Sequence, residues 1–114
     1  MLSGAYANAA DITVMGYRGP FEDNYKKAVI EPFMKAHPDI KVNYYGVQNA
    51  ATSLGNMRAQ RDAPQVNAVI YDLSVAKIAK EEGLVADLDT SKLSNYADVS
   101  DIGKDLGGAA IPLT

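Results

Sequence analysis

The run Asp11-Ile12-Thr13-Val14-Met15-Gly16-Tyr17-Arg18-Gly19-Pro20-Phe21 decides how the chain is read. Ile12, Val14 and Met15 form a short β-prone segment that stops in a Gly-Tyr-Arg-Gly-Pro turn, and a helical pattern comes next. A buried strand ending in a glycine-flanked loop before a helix is where open α/β sheets place ligands, outside the carboxyl ends of the strands. Gly16 and Gly19 let the backbone turn tightly around Tyr17 and Arg18. The ring offers a flat apolar face, and the guanidinium a bidentate fork for a carboxylate or phosphate. Tyr17 and Arg18 are therefore the leading ligand candidates, weighed against the plain alternative of a partly exposed tyrosine beside a solvated arginine.

Downstream, Asp23 to Ala36 reads as a helix. Its inward face is Tyr25, Ala28, Val29, Pro32, Phe33 and Ala36, with Lys26, Lys27, Glu31 and Lys35 facing away. Pro32 predicts a kink or a fresh helix start, and His37-Pro38-Asp39 ends the segment. Ile40 to Tyr45 alternates as a strand at the sheet edge, and Gly46 to Ala50 turns the chain. Ala51 to Asp62 is a weaker helix carrying Leu54 and Met57, broken by Ala63-Pro64-Gln65. Asn67 to Tyr71 is apolar enough for a third strand covered on both faces.

Asp72 comes directly after it, at the N-cap of a helix reaching Glu82, with Val75, Ile78 and Ala79 inward. Gly83 suits the left-handed position after the last turn, with Leu84 packing back. The alternation of strands and helices predicts an α/β fold: an open, mostly parallel sheet with helices on both faces. From Val85 the pattern becomes irregular, with at most short helical turns, until Ala109 to Thr114 reads as a strand that has only begun.

Asp72 has two readings. It could accept a hydrogen bond from a ligand amine, or its carboxylate could bond the amides of the helix it caps, worth about 1 kcal/mol. Leu73 and Ser74 lie in that first turn, where free N–H groups and the helix dipole favour an anionic group.

The bulk properties narrow the function classes. At 114 residues the chain suits one compact domain, and a net charge of -3 without a basic, aromatic-interleaved block argues against nucleic acid. The absence of cysteine removes thiol chemistry, and one histidine cannot form a His-cluster metal site. There is no phosphate-binding loop, no Gly-x-Ser-x-Gly elbow and no metal-ligand spacing, so neither an enzyme nor a cofactor is expected. Ala7-Asn8-Ala9 before Ala10-Asp11 has the small-x-small form of a secretory cleavage site, and residues 1–10 read as a signal-peptide remnant or a disordered tail.

Several motifs resemble the N-terminal lobe of bacterial ABC-transporter solute-binding proteins. They are Ile12 to Tyr17, Pro32-Phe33-Met34-Lys35, Asp39-Ile40-Lys41-Val42, and Glu82-Gly83-Leu84-Val85-Ala86-Asp87-Leu88-Asp89. Ser91-Lys92-Leu93-Ser94-Asn95-Tyr96 and Ala110-Ile111-Pro112-Leu113 resemble the spermidine/putrescine-binding branch. The resemblance spans Asp11 to Thr114.

It implies a periplasmic protein of two α/β lobes hinged around a cleft that traps a small solute and delivers it to an ABC permease. By position, the ligand loops are Gly16, Tyr17, Arg18 and Gly19 after the first strand, and Asp72, Leu73 and Ser74 after the third. Family members are longer, so 11–114 corresponds to an incomplete first lobe, and self-association or exchange of an element between copies is expected. The branch implies a polyamine. Arg18 opposes one, because an ammonium at contact distance from a guanidinium meets about 1 kcal/mol of repulsion even in water, which favours a carboxylate-bearing or zwitterionic solute.

The competing reading is a receiver-type phosphoacceptor domain using Asp72. That chemistry needs acidic residues after the first strand to hold magnesium, where this chain has Met15-Gly16-Tyr17.

Overall fold

Strand β1 (Ala10–Tyr17) lies at the centre of a three-stranded parallel sheet, between β2 (Ile40–Val47) and β3 (Ala68–Val69). This is seen in a computed structural model of the chain that describes residues 10–101. The cleavage-like triplet Ala7–Ala9 and the Ala109–Thr114 strand lie outside the described residues, whereas Ala10 already belongs to β1. The chain divides into two compact units, Met1–Tyr71 and Asp72–Thr114, and all three strands belong to the first.

The expected turn after Met15 is displaced. β1 continues through Gly16 and Tyr17, which pair with Gly46 and Val47, and the Arg18 N–H extends the ladder to the Val47 carbonyl at 2.9 Å. Parallel pairing through all eight residues of each strand outweighs the two glycines' turn preference. β2 therefore also runs past Tyr45 to the buried Val47, and among the described residues it is an edge of the sheet, as anticipated.

The first helical stretch starts at Pro20, three residues earlier than expected, and passes through α1 (Pro20–Tyr25), a π-helical turn at Lys26–Ile30, and α2 (Glu31–Ala36). Pro20 lies in the first turn of α1, where its missing N–H costs nothing. Pro32 follows directly on the π-helical turn, and the backbone stays helical through Ile30 and Glu31, so the helix widens before Pro32 and does not start afresh.

The expected inward face holds at Tyr25, which is half-buried, and fails beyond it. The Glu31 N–H bonds the carbonyl of Lys26, five residues back, and this wider turn rotates the downstream residues about the helix axis. Glu22, Lys26, Ile30 and Met34, spaced by four, are covered together with Tyr25. Val29 and Phe33 are left 45% and 39% exposed, and Ala28, Pro32 and Ala36 are exposed with them.

Helix α3 (Ala50–Ala59) covers the other face, with the Asn56 amide 3.7 Å from the sulfur of the fully buried Met15. Asn49 caps it by accepting from the Thr52 N–H at 2.9 Å. Helices therefore lie on both faces of the sheet.

β3 is shorter than expected and is not covered on both faces: Ala68 is exposed and Val69 half-buried. Among the described residues no strand pairs on its far side, so it forms the other edge. Backbone bonds from Asn67 to Thr13 (2.9 Å) and from Ile70 to Met15 (2.8 Å) prolong its contact with β1.

In the second unit, α4 (Leu73–Glu81) has Asp72 at its N-cap position. Ala76 and Ala79 are buried and Val75 half-buried, whereas Ile78, expected inward, is 37% exposed. Gly83 takes φ +69, and the amides of Leu84 and Gly83 bond the carbonyls of Ala79 (2.8 Å) and Lys80 (3.0 Å). This double closure is the Schellman arrangement that the Gly-Leu pair predicts. Short 3-10 turns at Thr90–Lys92 and Tyr96–Asp98 complete the described part of this unit.

Candidate functional site

Parallel pairing brings the carboxyl ends of β1 and β2 together, so the segment after β1 lies beside the segment after β2. Arg18 is exposed there, with its Nη2 3.4 Å from the Gln48 side-chain oxygen. Gly19 adopts φ 82 and ψ -145, a region that only glycine enters readily, and this conformation turns the chain directly into α1. The guanidinium is thus presented at the strand ends beside an amide side chain. The remaining guanidinium donors suit an oxygen-rich solute group.

Tyr17 is half-buried and begins an aromatic run. Its ring meets Phe21 edge-on at 5.7 Å, Phe21 stacks on Tyr25 at 5.8 Å, and Tyr25 meets Tyr44 at 6.2 Å. The Lys26 ammonium lies 5.5 Å from the centre of the Tyr44 ring and pairs with Glu22. The Tyr44 hydroxyl donates to the Tyr17 carbonyl at 2.7 Å. Burial first, then the Glu22 carboxylate and Tyr25, push the Tyr44 phenol up to about 12, so it remains a proton donor throughout the ordinary pH range. Partial burial also raises Tyr71, at the end of the segment after β3.

Gly16 and Gly46 are register partners, and both positions have no room for a side chain. A Cβ on Gly16 would overlap the Tyr44 hydroxyl, and one on Gly46 would lie 2.8 Å from Arg18 Cβ and 2.5 Å from a Glu22 carboxylate oxygen. Gly16 is therefore a buried strand residue, not part of an open loop.

Gly16, Tyr17, Arg18 and Gly19 are contiguous at the end of β1 in the first unit, while Asp72, Leu73 and Ser74 open the second. All three of the latter are exposed, Leu73 by 56%. Asp72 occupies the N-cap, yet its side chain makes no capping bond, which corrects the favoured structural reading of that carboxylate. Sequence reasoning missed Gln48, Tyr44 and Gly46. The polar Gln48-Asn49 pair before an alanine-led helix was the available signal for the first, while the other two depend on register.

A groove of about 140 Å³ lies elsewhere, between the π-helical turn and the outer part of β2, lined by Lys26, Ile30, Glu31, Met34, Val42 and Tyr44. Its lining is largely apolar and does not include Arg18.

Residues 18–112 match the family described as bacterial extracellular solute-binding protein. The chain belongs to that family. No curated protein and no solved structure gives a match. The region shared with the extracellular solute-binding proteins begins at Arg18 and takes in Gln48 and Asp72 to Ser74. The receiver reading finds no support beside this membership. Met15, Gly16 and Tyr17 stand where acidic residues would be needed, and among the described residues no three His, Cys, Asp or Glu side chains gather as a metal-holding group. Among the described residues, no helix is long and apolar enough to cross a membrane.

Proposed function

We propose that the chain is the solute-capturing part of an ABC importer, acting outside the cytoplasm, in the periplasm, and passing a small polar solute to a membrane permease without chemical change. The observation that carries this reading is the presentation of Arg18 at the joined carboxyl ends of β1 and β2, within a chain of the solute-binding family. Tyr17, Arg18 and Gly19 contact the solute from the loop after β1, with Gly16 giving that loop its path. Asp72, Leu73 and Ser74, at the start of α4, are the candidate contact residues of the second unit by themselves, since the first amides of a helix suit an anionic group.

The solute carries a carboxylate. The exposed Arg18 guanidinium is a poor neighbour for a polyamine and a good one for a carboxylate. A thermal-shift survey of dicarboxylates, amino acids and polyamines, on the natural chain and Arg18→Ala, tests this. Stabilisation by carboxylates that disappears in Arg18→Ala is the expected result. Stabilisation by spermidine alone, unaffected by Arg18→Ala, overturns the assignment of the solute.

A further inference from the structure

We infer that Tyr44, a residue of the edge strand, is a positioning residue for the solute loop, acting through the Tyr17 carbonyl in the space left by Gly16. This rests on the solute-binding reading and deepens it, because it identifies what holds Tyr17, Arg18 and Gly19 in place before any solute arrives.

The strand ladder supports the Arg18 amide, which donates to Val47 at 2.9 Å. Beyond it the chain enters α1, whose Asp23 N–H bonds the Gly19 carbonyl at 3.1 Å, while Gly19 itself is intrinsically free to change φ. The Tyr44 hydroxyl reaches the carbonyl of Tyr17, the last strand residue, at 2.7 Å. That carbonyl belongs to the peptide unit whose N–H is that of Arg18. One side-chain bond and one ladder bond therefore hold the two polar ends of a single peptide plane, which fixes the direction in which Arg18 leaves the strand.

The arrangement depends on β2 and β1 keeping register. Tyr44 pairs with Val14, and its ring extends two residues further along β1 to pass over Gly16. Any side chain at Gly16 displaces the hydroxyl, and any at Gly46 displaces the base of Arg18. Tyr25 and Lys26 pack against the Tyr44 ring and hold it over this gap. Phenol burial keeps the donor protonated, so the hold does not switch off under physiological conditions.

The test compares Tyr44→Phe with a Tyr25→Phe control by amide hydrogen exchange and by titration with L-glutamate and spermidine as probes. Tyr44→Phe keeps the ring packing and removes only the hydroxyl. The expected result is exchange at Arg18 faster by about tenfold or more, with Val14 and Met15 unchanged and weaker binding of the probe that the natural chain takes up. Gly16→Ala gives the same local signature by a different route if it folds. Unchanged exchange at Arg18 in Tyr44→Phe overturns the proposal, and so does faster exchange with probe affinity intact. If the natural chain takes up neither probe, the solute reading is what fails, and the exchange comparison still decides whether Tyr44 holds the loop.

Discussion

The thioether of Met34 accepts the Val42 N–H at 3.4 Å and so closes part of the open edge of β2. Thr13 and Met15 bond towards β3, and the Arg18 amide bonds to Val47, so the even-numbered backbone groups of β2 point away from β1. Val42 is one of these, and α2 reaches over the edge to satisfy it. Covering an edge donor is one way sheets avoid pairing with another chain.

Met34→Ala is expected to lower stability by about 1–2 kcal/mol, below the range for a fully buried methionine because Met34 is half-buried. The same variant uncovers the Val42 donor. Native mass spectrometry over a concentration series should show more dimer for Met34→Ala than for the natural chain, with Met34→Leu between them, if copies associate through β2.

Gly83→Ala places a Cβ in the left-handed conformation at φ +69 that closes α4. The expected loss is about 1–2 kcal/mol by chemical denaturation, since nothing crowds the position and the penalty is backbone strain alone.

Ser53 is fully buried in α3, and its hydroxyl has no hydrogen-bond partner among the protein's described atoms. Ser53→Ala removes a desolvated polar group without breaking a bond. It should leave stability unchanged or raise it by up to about 1 kcal/mol, against the usual direction for buried substitutions.

Alkaline pH acts through Tyr44. Its folded-state value of about 12 lies above the ordinary 10.0, so the unfolded chain releases this proton first. The associated stability is present below pH 10.0 and is lost as pH rises towards about 12. Tyr71 shifts in the same direction through burial. A urea-denaturation series from pH 9 to 12, roughly the span of a tyrosine titration, should show a steeper fall for the natural chain than for Tyr44→Phe.

Much of this fold was legible in local signals. Alternation marked β2, and Gly83-Leu84 marked the end of α4. The face of the first helical stretch was not legible, because an α-helical period was applied across the π-helical turn at Lys26–Ile30, whose wider path has no sequence signature of its own. The coverage of β3 was overestimated because an apolar run shows how well a segment tolerates burial, not which neighbours it acquires. Among the site residues, Tyr17 and Arg18 could be picked out by type and position, whereas Tyr44 joins them only through the parallel register.

The most direct measurement is a two-dimensional amide NMR titration of the 114-residue chain with L-glutamate, repeated with Arg18→Ala. Saturable shifts at Tyr17, Arg18 and Gly19, lost in Arg18→Ala, are the expected outcome. Saturable shifts confined to the groove around Ile30 and Val42, or binding that survives Arg18→Ala unchanged, would contradict a solute site at the end of β1.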